Sequence, residues 1–204
     1  FNAGIEFELF SQRLTGNVEY FVRKTTDMLF TFPLAPSFGY SYYYANVGDM
    51  RNMGVEMELT GTPIKTNDLE WNLRLNLTHY KNKITYLPEK RKTLDLGGHG
   101  GYSSGSYFYG EGLPLYTYRL QKYAGVNENG EALYYVDVKD QNGKVTGRTT
   151  TTNYSSATYY DCGTALPDVY GGFGTTLTYK GFDLTVDFNY QIGGQVYDLS
   201  LIHI

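Results

Sequence analysis

Glu56 and Glu58 stand two residues apart in NVGDMRNMGVEMELTGTPI (Asn46 to Ile64), alternating with Val55, Met57 and Leu59. Same-face neighbours on a strand have Cα atoms about 6.5–7 Å apart. The two carboxyl groups of a glycoside hydrolase sit roughly 5–9.5 Å apart, so acid–base catalysis is the first chemistry to weigh. The spacing is not special to this pair, however. Glu6 and Glu8 share a face in AGIEFELF, as do Asp183 and Asp187 in FDLTVDFNYQI. Polar residues repeated on one face of nearly every strand describe a wetted wall rather than one active site. The other reactive types are equally unassembled. His79, His99 and His203 lack the spacing of a metal-ligand set. Asp140-Gln141-Asn142-Gly143 lacks the spaced acids and closing Glu of a calcium loop and reads as a turn. GGHGG (Gly97 to Gly101) opens no helix whose N-terminus could hold an anion, and Cys162 has no base beside it. Neither enzyme activity nor a cofactor or metal is expected.

The elements that hold these side chains are strands. In FDLTVDFNYQI, Phe182, Leu184, Val186, Phe188, Tyr190 and Ile192 alternate with Asp183, Thr185, Asp187, Asn189 and Gln191, a two-residue period that excludes a helix. Lys180-Gly181 joins this run to GGFGTTLTY as a hairpin. AGIEFELF and GNVEYFVRKT flank SQRLTG, and GVEMELTG and LEWNLRLNLTHY flank TPIKTND. The expectation is six antiparallel strands in three hairpins, each of about 9–11 residues, the length of a tilted membrane strand. Two connections are far longer, from Thr26 to Asn52 and from Asn82 to Val169. Within the second, GVNENGEALYYVDVKDQNGKV carries Asn129-Gly130 and Asn142-Gly143 turn signals and reads as a local hairpin.

Short turns on one side and long loops on the other are the pattern of outer-membrane β-barrels. Composition agrees, with 22 Tyr, 11 Phe and 24 Gly beside one Cys. The balance of 17 Lys+Arg against 21 Asp+Glu leaves no basic footprint for nucleic acid. No run approaches the roughly 20 apolar residues of a membrane helix, but barrel strands escape that test. Six strands fall short of the roughly eight of a small membrane barrel, so the chain would be part of a larger one. On this reading Val55, Met57, Leu59, Trp71, Leu73, Leu75, Phe182, Leu184, Val186 and Phe188 face outer-membrane lipid. Glu56, Glu58, Arg74, Asn76, Asp183, Asp187 and Asn189 face the lumen. Tyr20, Phe21, Tyr80, Tyr86, Tyr179 and Tyr190 suit an interfacial girdle. In the loops, Tyr42, Tyr43, Tyr44, Tyr107, Phe108 and Tyr109 are candidate ligand contacts, because aromatic bodies with polar tips suit partly wet surfaces. The same aromatics could instead pack the loops together. The rival architecture is a soluble, aromatic-rich β-sandwich that binds carbohydrate.

ANVGDMRNMGVEMELTGTPI followed by LEWNLRLNLTHYKNKITYLP resembles the SusC/RagA family of TonB-dependent outer-membrane transporters. The family pattern N-x-G-x-x-x-N-x-G-x-E falls on Asn46, Gly48, Asn52, Gly54 and Glu56. GLPLYTYRLQKYAGVNENGEALYY and LPDVYGGFGTTLTYKGFDLTVDFNYQIGGQVYD are similar to the later loop and hairpin. The resemblance implies that residues 1–198 are a partial barrel domain without plug, TonB box and final strands. It also implies a bacterial outer-membrane importer of glycans, or of peptides in some branches, that works with a SusD-type surface lipoprotein and with TonB. An iron-chelate importer is the alternative among TonB-dependent transporters. LSLIHI (Leu199 to Ile204) departs from the family pattern and reads as a translated sequencing adapter, so residues 199–204 are expected to be a non-native tail.

Overall fold

The computed structural model describes residues 1–46 and 48–198. The expected tail and His203 lie outside the described residues. Within them the chain is all-β and antiparallel. Strands β1 (Asn2–Leu9) and β2 (Leu14–Thr25) form the first hairpin, and β3 (Leu29–Pro33) and β4 (Tyr42–Asn46) a small one above it. β5 (Asp49–Lys65) and β6 (Leu69–Tyr86) form the long second hairpin. β7 (Leu94–Leu96), β8 (His99–Ser104), β9 (Tyr107–Gly110), β10 (Thr117–Gln121), β11 (Tyr123–Val126), β12 (Ala132–Lys139), β13 (Val145–Thr151) and β14 (Tyr159–Thr164) belong to the long loop. β15 (Val169–Tyr179) and β16 (Phe182–Ile192) close the set, joined at Lys180 and Gly181, both at positive φ as a type I′ turn requires.

The three hairpins make one six-stranded sheet in the order β1-β2-β5-β6-β15-β16. β1 and β16 each pair on one side only among the described strands, so the sheet is open at both edges. Strand lengths depart from the expected range in the middle of the wall. β5 has 17 residues and β6 has 18. The polar run Lys81-Asn82-Lys83, read as the start of a loop, continues β6 because Ile84 above it is buried against the loop residues Leu87 and Tyr109. Tertiary burial here holds a polar sequence in register with Met53, Asn52 and Arg51.

The long connection is folded as well. Its strands form a five-stranded sheet in the order β14-β10-β9-β8-β7 and a three-stranded sheet β11-β12-β13, where a single local hairpin was expected. Its interior holds Leu96, Phe108 and Leu113, with Ile84, Leu87 and Tyr109 packing beside Phe30, Tyr102, Tyr107 and Leu115. The buried core therefore lies in the loops. The wall keeps its apolar face in the open: Ile5 is 71% exposed, Leu184 59% and Phe188 50%.

Candidate functional site: the polar face of the wall and its loop roof

Register fixes which side chains share a face. Residues Glu6, Asn17, Glu58, Asn76, Gly172 and Asn189 lie opposite one another in one row across six strands. The next row toward the long loops holds Glu19, Glu56, Thr78 and Tyr170, and the next toward the turns holds Glu8, Thr15, Thr60, Arg74, Gly174 and Asp187. Asp183, opposite Thr178, continues the same side. All seven expected lumen residues thus occur on one face. The ten residues expected toward lipid occupy the other, where Phe7, Gly16, Leu59, Leu75, Phe173 and Phe188 form a single row.

The polar face is braced by cross-strand contacts. The Arg74 guanidinium donates to Asp187 at 2.9 Å and to Thr176 at 3.1 Å. Asn17 donates to Glu58 and Asn2 to Glu19. Asn76 Oδ1 accepts from the Gly172 N–H at 2.8 Å. Glu56 and Glu58 follow the strand in separate rows and share one shallow hollow with Asn17, Glu19, Asn76 and Thr78, a lining that repeats the polar face on either side of them. Such exposed ion pairs and hydrogen bonds contribute little stability but keep the face polar along its whole length.

The loop sheet roofs the upper end of this face. The Leu115 N–H donates to Asn82 Oδ1 at 2.7 Å, and Asn82 Nδ2 donates in turn to Asn52 Oδ1 at 2.6 Å. Beneath this tie lies a cleft of about 290 Å³ lined by Phe21, Arg23, Asn52, Glu56, Tyr80 and Tyr170 on the wall side and by Leu115 and Leu166 on the loop side. Arg23, Phe21, Tyr80 and Tyr170 were missed as site residues. A charge near a strand end reads as ordinary solvation until a roof is seen above it.

The girdle expectation is corrected at two positions. Tyr20 and Tyr190 lie on the apolar face, but Phe21 and Tyr80 point to the polar one, where Phe21 is buried. Adjacent residues on a strand take opposite faces, so Tyr20 and Phe21 cannot share a girdle. The loop aromatics also divide. Tyr42, Tyr43 and Tyr44 are exposed, and the Tyr43 hydroxyl accepts from Arg91 at 3.1 Å. Tyr107 is half-buried with its hydroxyl 3.4 Å from that of Tyr118. Phe108 is fully buried against Leu96 and Leu113, and Tyr109 is buried and stacked on Tyr102 at 5.2 Å. These two pack the loop interior, which corrects their assignment as ligand contacts.

The signature residues explain themselves sterically. Gly48 holds φ +136°, and a Cβ there would run into the Tyr86 carbonyl oxygen. A Cβ on Gly54 would meet the His79 carbonyl oxygen and lie 2.7 Å from Tyr80 Cβ. Asn52 joins the roof tie, Glu56 lines the cleft and Asn46 ends β4. Among the described residues no cluster of His, Cys, Asp and Glu is placed to hold a metal ion. His79 and His99 instead place Nδ1 against the carbonyl oxygens of Asp168 and Glu111. In the loop sheet, burial pushes the Tyr102 phenol up to about 12 and raises the Cys162 thiol. The Glu111 carboxyl is held below its usual range by the Leu87 N–H and then by Lys92.

Residues 1–201 match the family described as TonB dependent receptor-like, beta-barrel. TonB-dependent receptor P3 of Formosa agariphila is 28% identical over 98% of this chain and 21% of its own length. TonB-dependent receptor SusC of Bacteroides thetaiotaomicron is 28% identical over 96% of this chain and 19% of its own. The solved RagAB peptide transporter superposes with a TM-score of 0.77 and 29% identity over 94% of this chain and 20% of that one. The chain spans about one fifth of the length of these relatives. The chain belongs to the TonB-dependent receptor β-barrel family, as a stretch of an outer-membrane barrel.

Proposed function

We propose that this chain is wall and extracellular loop of an outer-membrane importer of large nutrients, glycans or peptides, driven through TonB. The observation that carries the reading is the continuous exposed apolar face across six strands. Soluble monomers rarely expose contiguous apolar patches above a few hundred Å², whereas a barrel wall turns such a face to lipid. This weighs against the soluble carbohydrate-binding sandwich. Glu56, Glu58, Arg74, Asn76, Asp183, Asp187 and Asn189 then line the lumen, with the short turns at one membrane surface and the folded loops at the other. Tyr42, Tyr43 and Tyr44 stand outward on the loop side, where they would meet cargo or a SusD-type lipoprotein partner. The similarity to SusC and to the RagAB peptide transporter favours this class over an iron-chelate importer.

The test is uptake of fluorescent oligosaccharides and peptides by cells whose import depends on the full-length protein. Loss of uptake on deleting TonB, and again on deleting its SusD-type lipoprotein partner, is the expected result. Uptake indifferent to TonB would refute the importer reading.

A further inference from the structure

The apolar face of the wall changes character at its upper end. From the turns up to His79, its paired positions carry no Asp, Glu, Lys or Arg. Above His79 the cations begin. Lys81 stands opposite Met53, and one row higher Lys24, Arg51 and Lys83 lie directly opposite one another across β2, β5 and β6. All four side chains are exposed. Lys24 reaches Asp49 at 3.5 Å, whereas Arg51, Lys81 and Lys83 take no ion-pair or hydrogen-bond partner among the described residues. Neighbouring strands lie about 4.8 Å apart, so the row sets three cations within roughly 10 Å. Like charges directly opposite one another destabilise a sheet unless an anion bridges them.

Height puts these cations at a membrane surface. Leu75, six residues above the turn end of β6, lies near the middle of an apolar band about 25 Å tall. Lys81 and Lys83 are six and eight residues further up the same strand. At about 3.3 Å per residue and a tilt of about 35–45°, they stand roughly 14–16 Å and 19–22 Å above Leu75 along the membrane normal. That is about 2–10 Å beyond the edge of the band, in the layer that lipid headgroups fill. Tyr20 and Val55, in the row of His79, end the band beneath them. The strands that complete the barrel join beyond β1 and β16, and whatever the barrel encloses meets the other face. The outward row on β2, β5 and β6 is left to lipid. Long cationic side chains lay their stems along apolar surface and carry their heads outward, and an Arg fork matches the oxygens of a phosphate.

We propose that Lys24, Arg51, Lys81 and Lys83 form a docking patch for the phosphorylated headgroup of an outer-leaflet lipid. Its acyl chains would lie along Val22, Met53, Val55 and Tyr20, directly below the cations on the same face. The proposal rests on this face being the lipid side of an importer's wall. A neutral headgroup would leave three free cations without a partner.

The test uses the purified full-length transporter in detergent, titrated by native mass spectrometry with diphosphoryl lipid A, its dephosphorylated form and phosphatidylcholine. Each cation beside a charged membrane surface is worth about fivefold in affinity. Arg51→Gln and Lys83→Gln should therefore each weaken diphosphoryl lipid A about fivefold and leave the dephosphorylated form unchanged. Arg23→Gln, one residue from Lys24 but on the polar face, should alter neither. Heat-modifiable migration of each variant reports an intact barrel, and the lipid series reads the same contacts in the unmutated protein. Equal binding of phosphorylated and dephosphorylated lipid A overturns the patch while leaving the importer intact. So does displacement of the bound lipid by inorganic phosphate but not by chloride at equal ionic strength, which would make the row a site for a free anion. Loss of lipid on Arg23→Gln alone would put lipid against the other face and overturn the assignment of lipid and lumen itself.

Discussion

Leu75→Arg is the substitution that weighs the wall most directly. Leu75 stands opposite Leu59 and Phe173, in the row that runs from Phe7 to Phe188 across the apolar face. It is six residues from the start of β6 at Leu69. At about 3.3 Å per residue that is roughly 20 Å along the strand. With barrel strands tilted about 35–45°, some 14–16 Å of it lies along the membrane normal, against an apolar band about 25 Å tall. Allowing a few Å for the turn to clear the band, Leu75 reaches its middle. An Arg at that depth costs about 2–4 kcal/mol, and one near the interface about 0–1. Phe182, beside the turn, supplies the shallow position. Asn76 supplies the opposite face at almost the same depth. The full-length protein is folded into bilayers and unfolded in guanidinium, with Trp71 fluorescence as the probe. Leu75→Arg should lose about 2–4 kcal/mol, Phe182→Arg at most about 1, and Asn76→Arg about 1, for the hydrogen bond its amide oxygen accepts from the Gly172 N–H. Equal losses at Leu75 and Asn76 would show that the two faces meet the same medium, and the assignment of lipid and lumen would fall.

Three further outcomes follow from local geometry. Gly54→Ala should destabilise the wall by about 1–3 kcal/mol, the usual range for overpacking, because β6 backbone leaves no room for its Cβ; Gly61→Ala on the same strand, where the nearest atoms lie 3.9 Å from an added Cβ, is the comparison in the same unfolding assay. Phe108→Ala should cost the loop sheet about 3–5 kcal/mol, read as faster proteolysis between β7 and β14 while the heat-modifiable barrel persists. Cys162 should react slowly with a maleimide at neutral pH. Its raised thiol value lowers the thiolate fraction at any given pH, so the rate should keep climbing above the range where an exposed cysteine has levelled off; a plateau near pH 9 would contradict the burial.

The two-residue period carried the wall well. It is set by the covalent geometry of a strand, so FDLTVDFNYQI and LEWNLRLNLTHY display their two faces without any tertiary help. What the period does not encode is how far a strand continues. β6 runs on through Lys81 and Lys83 only because loop residues bury Ile84 beyond them. The same dependence explains the aromatics. Tyr107, Phe108 and Tyr109 are adjacent and chemically alike, yet Phe108 is interior and Tyr107 is half-buried, a difference made by strands β8 and β10 on either side.

The acidic pair that first suggests catalysis is placed by the same logic. Glu56 and Glu58 follow strand spacing, and their neighbours across the sheet are Glu19 and Asn17 on one side and Thr78 and Asn76 on the other. Nothing in a period of two distinguishes the first glutamate from the second. The roof does, because Leu115 is tied through Asn82 to Asn52, four residues above Glu56. That tie places Glu56 at the foot of the cleft beneath Leu115, half-buried, and leaves Glu58 exposed one row further from the roof. What separates two like carboxylates is therefore set where loops meet wall, by contacts that a strand period does not encode. The strand supplies the spacing, and the loop decides which carboxylate lies beneath a roof.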